Sequence, residues 1–371
     1  MDTQKPDQKV QDIQVAVAMS GGVDSSVAAA LLHAQGYEVI GIMMRLWSEP
    51  DGQEKQRTNR CCTPDQMADA RRVADLLSIP FYVLDAQEYF RKKVVDFYVQ
   101  SHMDGLTPNP CIQCNRHVRF EYLLDHALSL GADYLATGHY ARKIRVSDKY
   151  QLLEAIDSTK DQSYVLHVLD QEQLSKVLFP IGDYVKDEVR DLARKFGLPT
   201  ASKDESMDLC FLSDGDPKRF LSERQTSAVQ PGPIITQEGK PLGWHDGLPF
   251  YTIGQRKGLG IAAGQPMYVL RKDVNSNALI LGTRDQLGRR SLHIRQTNWV
   301  SGKPIGEGNR IGVKIRYKAK PADAIVNYCN GDDVRVTFME PVFGITAGQG
   351  AVFYDNGVCL GGGIITGEDV E

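Results

Sequence analysis

The stretch IQVAVAMSGGVDSS, residues 13–26, decides the fold. Its first half, residues 13–19, is a short apolar run containing β-branched residues and has the length of a buried strand. Two adjacent glycines then permit a tight turn. The apolar residues 27–32 are typical of a helix, and Gly36 lies where a helix C-cap is expected. The stretch therefore predicts a strand, a glycine turn and a helix in immediate succession.

The same alternation of strands and helices continues to about Cys210. Further strands are predicted at residues 39–44, 81–84 and 134–137. Further helices are predicted after the Thr63-Pro64 pair and at residues 120–130. Repeated β-α-β units of this length predict an α/β domain with a doubly wound parallel sheet. In such sheets, ligands bind beyond the carboxyl ends of the strands.

The composition changes after this first domain. Residues 231–264 contain eight glycines and four prolines, which are too many helix breakers for anything but an irregular, β-rich region. From about Ser291 apolar and polar residues alternate, and Asn356-Gly357 between two such runs predicts a hairpin. We therefore expect an α/β domain at residues 1–211, a small central domain at 212–284 and a small antiparallel β-barrel or sandwich at 285–371.

Composition and charge exclude several classes of protein. Apolar residues make up 42% and charged residues 24% of the 371 residues, which excludes coiled coils, collagen and disordered chains. Residues 1–14 are polar and do not resemble a signal peptide. No stretch approaches the ~18 apolar residues of a membrane helix. With a net charge of −4, we expect a cytoplasmic protein that binds neither membranes nor DNA, and any RNA contact requires a local basic patch.

The turn at residues 20–26 is a candidate phosphate site. Its glycines let the backbone approach an anion, and helix N-terminal amides together with the hydroxyls of Ser20, Ser25 and Ser26 can donate to it. Asp24 would repel phosphate unless it held Mg²⁺ or a backbone amide. The Walker sequence is absent, because no Gly-Lys-Ser/Thr follows. The segment SGGVDSS resembles the PP-loop of the ATP pyrophosphatases, which cleave ATP between the α- and β-phosphates and so adenylate a substrate oxygen.

The seven cysteines are the second source of chemistry. An odd number of cysteines without an export signal favours reduced, catalytic or metal-binding thiols over a disulfide framework. Cys111 and Cys114 lie in TPNPCIQCN, residues 107–115, where two prolines fix the loop and a following helix start is expected to lower a thiol pKa. A Cys-x-x-Cys alone is equally consistent with redox or metal chemistry and with no function. Cys210 alone is better explained as buried packing.

Two further features have simple structural explanations on the residues alone. His139 follows a predicted strand, where a hydrogen bond to a loop carbonyl is as good an explanation as a function. The second feature is a set of cations that alternate with apolar residues and are expected on a solvated strand face. They are Lys314, Arg316, Lys318 and Lys320.

Taken together, the motifs resemble the tRNA-specific 2-thiouridylase family over nearly the whole chain. In chain order they are AMSGGVDSS, TPNPCIQCN, ATGHYAR, KDQSY, DLCFL, GQRKGLGI, KIRY and AVFYDNGVCLGGGII. Each is short, but their order and spacing together are specific. The resemblance implies a PP-loop domain, a small central domain and a C-terminal β-barrel.

The resemblance also implies roles for individual residues. Cys114 corresponds to the nucleophile, and Cys210 to the cysteine that carries the persulfide. The ATP-binding positions are Ala18, Met19, Ser20, Gly21, Gly22, Val23, Asp24, Ser25, Met44 and Gly138. The tRNA-contacting positions are Asn109, Pro110, Cys111, His139, Lys160, Asp161, Gln162, Arg316, Tyr317 and Gln349. Cys111 departs from the family, in which this position is often Asp, so an acid/base role there is in doubt.

The implied reaction is ATP- and Mg²⁺-dependent thiolation of uridine 34 in the tRNAs for Lys, Glu and Gln. A partner that carries a persulfide, or a sulfide source, would supply sulfur to Cys210. Cys114 would then either attack the persulfide or form a disulfide with Cys210. In an alternative, Cys111, Cys114 and Cys210 ligate a [4Fe–4S] cluster, as in related thiolases. Two other classes stay open: a PP-loop synthetase that adenylates a small molecule, and a non-catalytic RNA-binding protein.

Overall fold

The computed structural model describes residues 10–47, 49, 63–203, 209–212, 214–224 and 229–367. No helix among these residues is long and apolar enough to span a membrane. Cys61 and Cys62, to which the sequence assigns no role, lie outside the described residues.

A parallel sheet forms the centre of the first domain. The described strands up to residue 178 are β1 (Gln14–Ala18), β2 (Glu38–Arg45), β3 (Phe81–Asp85), β4 (Tyr134–Thr137), β5 (Arg142–Val146), β6 (Lys149–Leu153) and β7 (Val177–Leu178). Five of them pair in parallel in the order β3-β2-β1-β4-β7. Six consecutive buried residues in β2 show that helices cover both faces of the sheet there. The predicted doubly wound α/β domain is confirmed.

Helices cover this sheet on both faces. They are α1 (Val23–Ala34), α2 (Pro64–Leu76), α3 (Gln87–Phe90), α4 (Asp96–Met103), α5 (Pro110–Gln113), α6 (Leu124–Ser129), α7 (Ser163–Leu166), α8 (Gln171–Lys176) and α9 (Lys186–Lys195). The predicted Thr63-Pro64 start is confirmed, because Thr63 caps α2 by accepting a 3.1 Å hydrogen bond from the Gln66 amide. Val27 of α1 and Val189 of α9 pack into one core with Val17 of β1.

Two helical stretches contain π-helical segments. Arg91–Val95 joins α3 to α4, and Cys114–Leu123 joins α5 to α6. The helix predicted at residues 120–130 is therefore only the second half of a continuous helical stretch from Pro110 to Ser129. The first half escaped the sequence pattern because a π-helix repeats at a longer interval than the α-helical period of 3.6 residues.

The central region is a small β-structure, as predicted. It begins with α10 (Pro217–Arg224). A sheet follows, made of β8 (Gly232–Thr236), β9 (Pro241–His245), β10 (Tyr268–Asp273) and β11 (Ala278–Gly282), in the order β10-β11-β8-β9. Val269, Leu279 and Leu281 are fully buried in its own core.

The C-terminal region is a closed antiparallel barrel. After the short α11 (Arg284–Leu287), its strands are β12 (Gly288–Trp299), β13 (Arg310–Lys314), β14 (Ala322–Asn330), β15 (Asp333–Phe343), β16 (Gly350–Asp355) and β17 (Val358–Ile365). They follow the order β12-β15-β14-β13-β16-β17, and pairing of β12 with β17 closes the ring. The predicted hairpin is confirmed, because Asn356 and Gly357 both adopt positive φ, 48° and 80°, between β16 and β17.

The first domain contributes strands to the barrel sheet, which was not predicted. The β5–β6 hairpin pairs with β17 through Leu153 and Val358, so it extends the barrel sheet by two strands. This hairpin places the segment that follows β6, including the motif at residues 160–164, directly against the barrel.

The four basic residues from Lys314 to Lys320 do not share the solvated strand face that was predicted for them. Lys314 is the last residue of β13 and is only 7% exposed. Its ammonium donates to Glu154 Oε1 at 2.6 Å and lies 3.4 Å from Asp161 Oδ2. The strand ends there, and Arg316, Lys318 and Lys320 lie exposed beyond it. Lys314 is thus an internal ion-pair partner that joins barrel to hairpin, because its long stem reaches the buried carboxylates.

Candidate active site

The phosphate loop lies between the end of β1 and the start of α1. Gly22 is the N-cap of α1, and no described side chain caps the first amides of that helix. Gly21 has a φ of 71°, and a Cβ there would lie 2.2 Å from the backbone oxygen of Gln66. Only glycine fits against α2 at this point. The loop therefore presents uncapped helix N-terminal amides, which is the usual geometry of an anion site.

The structure corrects the expected use of the serine hydroxyls. Ser26 is fully buried, and its hydroxyl donates to the Gly22 carbonyl at 2.8 Å. Ser25 Oγ donates to the same carbonyl at 3.3 Å and accepts from the Ser20 amide at 3.1 Å. The Ser20 hydroxyl lies 3.2 Å from Ser25 Oγ and belongs to the same network. Ser20 is nevertheless the exposed serine of the three and therefore the one open to an anion.

Asp24 has partners that the sequence did not reveal. Lys186 Nζ donates to its two carboxylate oxygens at 2.7 Å and 2.9 Å. The Tyr140 hydroxyl donates to Asp24 Oδ1 at 2.7 Å. The partners of Asp24 in this structure are thus side chains, an ammonium and a phenol, and not the backbone amide suggested by the sequence. Lys186 brings a positive charge beside the phosphate loop, which offsets the repulsion between Asp24 and phosphate.

The other predicted ATP-binding positions contribute backbone or shape. Met19 is 3% exposed, and its side chain packs in the core that contains α1. The side chain of Ala18 packs in the other core of the domain. Met44 lies near the carboxyl end of β2. Gly138 directly follows β4, and a Cβ there would lie 2.7 Å from the Ser25 amide nitrogen. Any residue with a Cβ at this position would therefore push the end of β4 away from the phosphate loop.

The thiol loop is fixed by the cap of α5. Asn109 Oδ1 accepts hydrogen bonds from the amides of Cys111, at 3.1 Å, and Ile112, at 3.4 Å. Pro110 occupies the first helical position, where its missing N–H costs nothing. The Gln349 amide donates to the Thr107 carbonyl at 2.9 Å, so the barrel holds this loop from the other side.

The structure brings three thiols together. Cys111 is exposed, Cys210 is half-buried and Cys114 is buried, and all three are free thiols. Although Cys111 is exposed at the surface, the protein around it displaces water and raises the pKa of its thiol, and negative charge on Cys210 or Cys114 adds to the rise. Burial likewise raises the pKa of Cys114 to about 11. The lowered pKa expected from a nearby helix start is therefore wrong, because Cys114 lies inside a continuous helical stretch and away from its N-terminus.

Arg119 is the functional residue that the sequence analysis missed beside these thiols. Its positive charge and a hydrogen bond to Cys114 lower the pKa of that thiol, against the effect of burial. Its charge also reaches Cys111 and His139. His139 adjoins Gly138, which packs on the phosphate loop. Arg119 thus lies between the thiols and the nucleotide end of the sheet.

Arg119→Met raises the pKa of Cys114 further, because the opposing positive charge is removed. The expected result is slower alkylation of Cys114 by iodoacetamide at pH 8–9, with the rate curve displaced to higher pH by about one unit. Arg145→Met, an exposed arginine on β5, serves as the matched control and leaves the curve in place. If Arg119→Met leaves the pH dependence of Cys114 alkylation unchanged, Arg119 does not lower the pKa of Cys114.

Several predicted RNA-contacting side chains have partners inside the protein. His139 is 7% exposed, and Nδ1 lies 2.8 Å from the Thr137 hydroxyl and not at a loop carbonyl. Burial lowers the pKa of His139 to about 3, so its ring is neutral. Asp161 is buried and bonds to Ser163 and to the Ala155 amide. Gln162 Oε1 accepts from the Tyr140 amide at 2.9 Å.

Among the predicted RNA contacts, Cys111 and Arg316 are the exposed residues. Arg316 is exposed while one guanidinium nitrogen donates to the Phe343 carbonyl at 2.9 Å. Tyr317 is half-buried, with its ring 6.1 Å from that of Tyr164. Lys160 is half-buried in the turn after β6.

The fold and the site define a nucleotide-binding α/β domain with a thiol centre, followed by two β-domains. A family model described as the tRNA methyl transferase HUP domain matches residues 13–214. Models described as the tRNA methyl transferase PRC-barrel domain and the aminomethyltransferase beta-barrel domain match residues 218–283 and 289–365. The chain belongs to the tRNA-specific 2-thiouridylase family.

Curated relatives support this membership over nearly full length. The tRNA-specific 2-thiouridylase MnmA of Carboxydothermus hydrogenoformans is 47% identical over 95% of this chain and 97% of its own. The proteins of the same name from Moorella thermoacetica and Chloroflexus aurantiacus (strain J-10-fl) are each 46% identical, over 94% and 96% of this chain and 98% and 99% of their own.

A solved structure is similar at a greater distance. It is the U34-tRNA thiolase NcsA from Methanococcus maripaludis with its [4Fe–4S] cluster, which is 21% identical over 58% of this chain and 68% of its own, with a TM-score of 0.33.

Proposed function

We propose that this chain is a tRNA sulfurtransferase that uses ATP to convert uridine 34 of tRNA into 2-thiouridine. The carrying observation is that a chain of this family has a phosphate loop without a side-chain cap after β1 and, within the same domain, three thiols whose charges interact with one another. Analysis of tRNA nucleosides after incubation with the protein, ATP and a sulfide source tests the proposal. By family, the substrates are the tRNAs for Lys, Glu and Gln.

The phosphate loop supplies the activation that the reaction needs. The C2 carbonyl oxygen of uridine is a poor leaving group. When this oxygen attacks the α-phosphate of ATP, pyrophosphate is released and the base becomes adenylated, so that the oxygen can later leave as part of AMP. Helix amides and the Ser20 hydroxyl bind the phosphates, and Lys186 lies close enough to balance the negative charge that pyrophosphate carries away.

The thiols supply the sulfur. In the proposed step, the terminal sulfur of a persulfide on Cys210 attacks C2 and AMP leaves. The Cys114 thiolate then attacks the Cys210 sulfur, so the S–S bond of the persulfide breaks, the outer sulfur stays on the base, and a Cys114–Cys210 disulfide forms. A thiol reductant restores both cysteines. Alternatively, Cys114 attacks the persulfide first and releases hydrosulfide as the nucleophile. A persulfide-carrying sulfurtransferase then passes its outer sulfur to the reduced Cys210 thiol. With a sulfide source instead, hydrosulfide opens the Cys114–Cys210 disulfide before reduction, which regenerates the Cys210 persulfide and the Cys114 thiolate.

Mg²⁺ fits the phosphate loop. One carboxylate, Asp24, lies beside the loop, and Mg²⁺ in nucleotide sites is held by one or two carboxylates together with substrate phosphates. Bound there, Mg²⁺ would neutralise phosphate charge, and Asp24 would exchange Lys186 for the metal.

A [4Fe–4S] cluster fits less well. The three thiols are the right donor type. However, among the described residues no group of three or more His, Cys, Asp or Glu side chains is arranged to hold a metal ion. Arg119 also occupies a hydrogen-bonding position on Cys114. We therefore derive no step through a cluster.

The barrel surface after β13 is the proposed site for the anticodon arm. Arg316, Lys318 and Lys320 lie exposed there, within eleven residues that contain no acidic side chain, from Arg310 to Lys320. Phosphate neutralisation by such cations gives RNA affinity that falls steeply with salt. We infer the same division into a catalytic domain at 1–211, a central domain at 212–284 and this RNA-contacting barrel at 285–371, working in the cytoplasm, where thiols stay reduced.

The double substitution Arg316→Glu, Lys318→Glu weakens tRNA binding and flattens its salt dependence. Each phosphate contact that is lost lowers the log–log salt slope by about 0.7–0.9. Fluorescence anisotropy of labelled tRNA across a salt series measures the slope, and ATP binding stays unchanged. Arg194→Glu, Lys195→Glu on α9 carries the same charge change as a control. Equal slopes for the two double variants would assign the barrel cations to ordinary solvation.

A further inference from the structure

A cavity of about 270 Å³ adjoins the thiols. It lies between the thiol loop, Leu209 and the central region. Pro108, Pro110, Leu209, Leu221 and Phe250 give it largely apolar walls. Pro110 and Leu209 are the residues directly before Cys111 and Cys210. A planar ligand in this cavity is therefore next to the sulfur chemistry.

Two polar side chains on the cavity wall lack partners. His102 Nδ1 and Thr107 Oγ1 are buried and have no hydrogen-bond partner among the residues that the structure describes. His102 is only 7% exposed. Buried polar atoms without partners are costly and rare in folded proteins, unless a ligand or a water completes them. The pair therefore indicates that the cavity is built for something with polar groups on one edge.

The hydrogen-bonding state of His102 follows from its surroundings. Burial lowers the pKa of His102 to about 4, and the positive charge of Lys272 adds to the effect, so the ring is neutral. The ring bonds to the backbone carbonyl of Pro249. Because Nδ1 has no partner, this bond comes from Nε2, which carries the proton. Nδ1 is then a hydrogen-bond acceptor, and the Thr107 hydroxyl can donate.

The reaction requires a site that distinguishes uracil from cytosine. Uracil and cytosine carry the same C2 carbonyl, so the chemistry at C2 cannot tell them apart. They differ at N3, a donor in uracil and an acceptor in cytosine, and at position 4, an oxygen in uracil and an amine in cytosine. An acceptor facing N3 selects uracil, because cytosine presents another acceptor there. A hydroxyl facing position 4 can donate to the O4 of uracil, and the amine of cytosine can bond to it only if the hydroxyl turns to accept.

We propose that this cavity holds the target uracil after it leaves the base stack, with His102 Nδ1 accepting from N3–H and Thr107 Oγ1 donating to O4. The assignment rests on the proposed function and extends it, since it names the residues that determine base specificity. Both atoms are covered in the empty cavity, so the entering base displaces the contacts that cover them. Lys272 and the barrel fix this wall, because Lys272 Nζ donates to Leu106 and the Thr107 amide donates to Ala347.

The test compares two anticodon stem–loop RNAs that differ only in U34 or C34. The wild type thiolates the U34 RNA and rejects the C34 RNA. His102→Phe keeps the ring shape without the acceptor, and it lowers kcat/KM on U34 about tenfold or more while narrowing the preference for U34 over C34. Thr107→Val acts in the same direction. His33→Phe, on the exposed end of α1, is the matched control.

Three outcomes decide the matter. A U34-to-C34 ratio in His102→Phe and Thr107→Val equal to that of the wild type overturns the assignment. If either variant fails to fold, RNA containing 3-methyluridine at position 34 tests the wild type directly. Thiolation of that base at the rate of uridine overturns the assignment, and its rejection supports it. If the wild type leaves U34 unmodified, the proposed function fails instead, and preferential binding of U34 over C34 RNA still tests the cavity.

Discussion

Cys114→Ser and Cys210→Ser each abolish thiolation of tRNA while ATP-dependent pyrophosphate release continues. Removal of a covalent nucleophile costs on the order of 10⁴-fold or more, and serine does not form a persulfide. Adenylation depends on the phosphate loop, which neither substitution touches. Parallel assays of pyrophosphate release and of 2-thiouridine in digested tRNA separate the two steps.

Two other cysteines provide the controls. Cys329→Ser lies in β14 of the barrel, away from the thiol centre, and keeps full activity. Cys111→Asp restores the residue type common in the family and stays active if sulfur moves through Cys114 and Cys210 alone. A brown, iron-containing protein after anaerobic purification, inactive as Cys111→Ser, would instead establish the cluster route. Thiolation by Cys114→Ser at the wild-type rate would contradict both.

Asp24→Ala slows pyrophosphate release by about 10²–10³-fold or more and leaves the fold intact. The substitution removes the carboxylate in the first turn of α1, which follows the glycines of the phosphate loop, together with the partner of the Lys186 ammonium. Ser20→Ala acts in the same direction, because Ser20 is the exposed serine of the phosphate loop. The measurement is pyrophosphate release with saturating tRNA, with thermal unfolding as the check on folding.

The neighbouring residue gives the control for this pair. Asp187→Ala removes an exposed carboxylate directly beside Lys186 in the chain and leaves the rate unchanged. Lys186→Met is expected to slow pyrophosphate release with Asp24 still present, because phosphate then meets Asp24 without its counter-charge. Normal rates in Asp24→Ala and Lys186→Met together would remove the nucleotide assignment from this loop.

Local patterns predicted the elements that depend on local physics. The strand at residues 13–19 is observed at Gln14–Ala18, because a buried parallel strand must be continuously apolar. The hairpin at Asn356-Gly357 followed from the positive φ that these residues tolerate. The pairing of the β5–β6 hairpin with β17 was out of reach, because strand pairs two hundred residues apart leave no local signal.

The same limit explains the site. The phosphate loop and each cysteine motif are short contiguous segments of the chain, so they were found from the spacing of their residues. Lys186 reaches Asp24 from a helix 162 residues further along the chain, so no motif joins them. Arg119 reaches Cys114 along a π-helical segment, which no α-helical period would reveal. Lys314 was assigned to solvent because alternation alone does not show that its stem folds back on buried carboxylates.

The central claim is that ATP consumption and sulfur transfer meet on one uracil. The most direct test is mass spectrometry of nucleosides from unmodified tRNA incubated with the protein, ATP, Mg²⁺ and a sulfide source. The expected result is 2-thiouridine at position 34, with one pyrophosphate released for each thiolated base, and no product without ATP. Pyrophosphate release on a small carboxylate or ureido substrate with no thiolated nucleoside, or tight ATP and RNA binding with neither product, would contradict it.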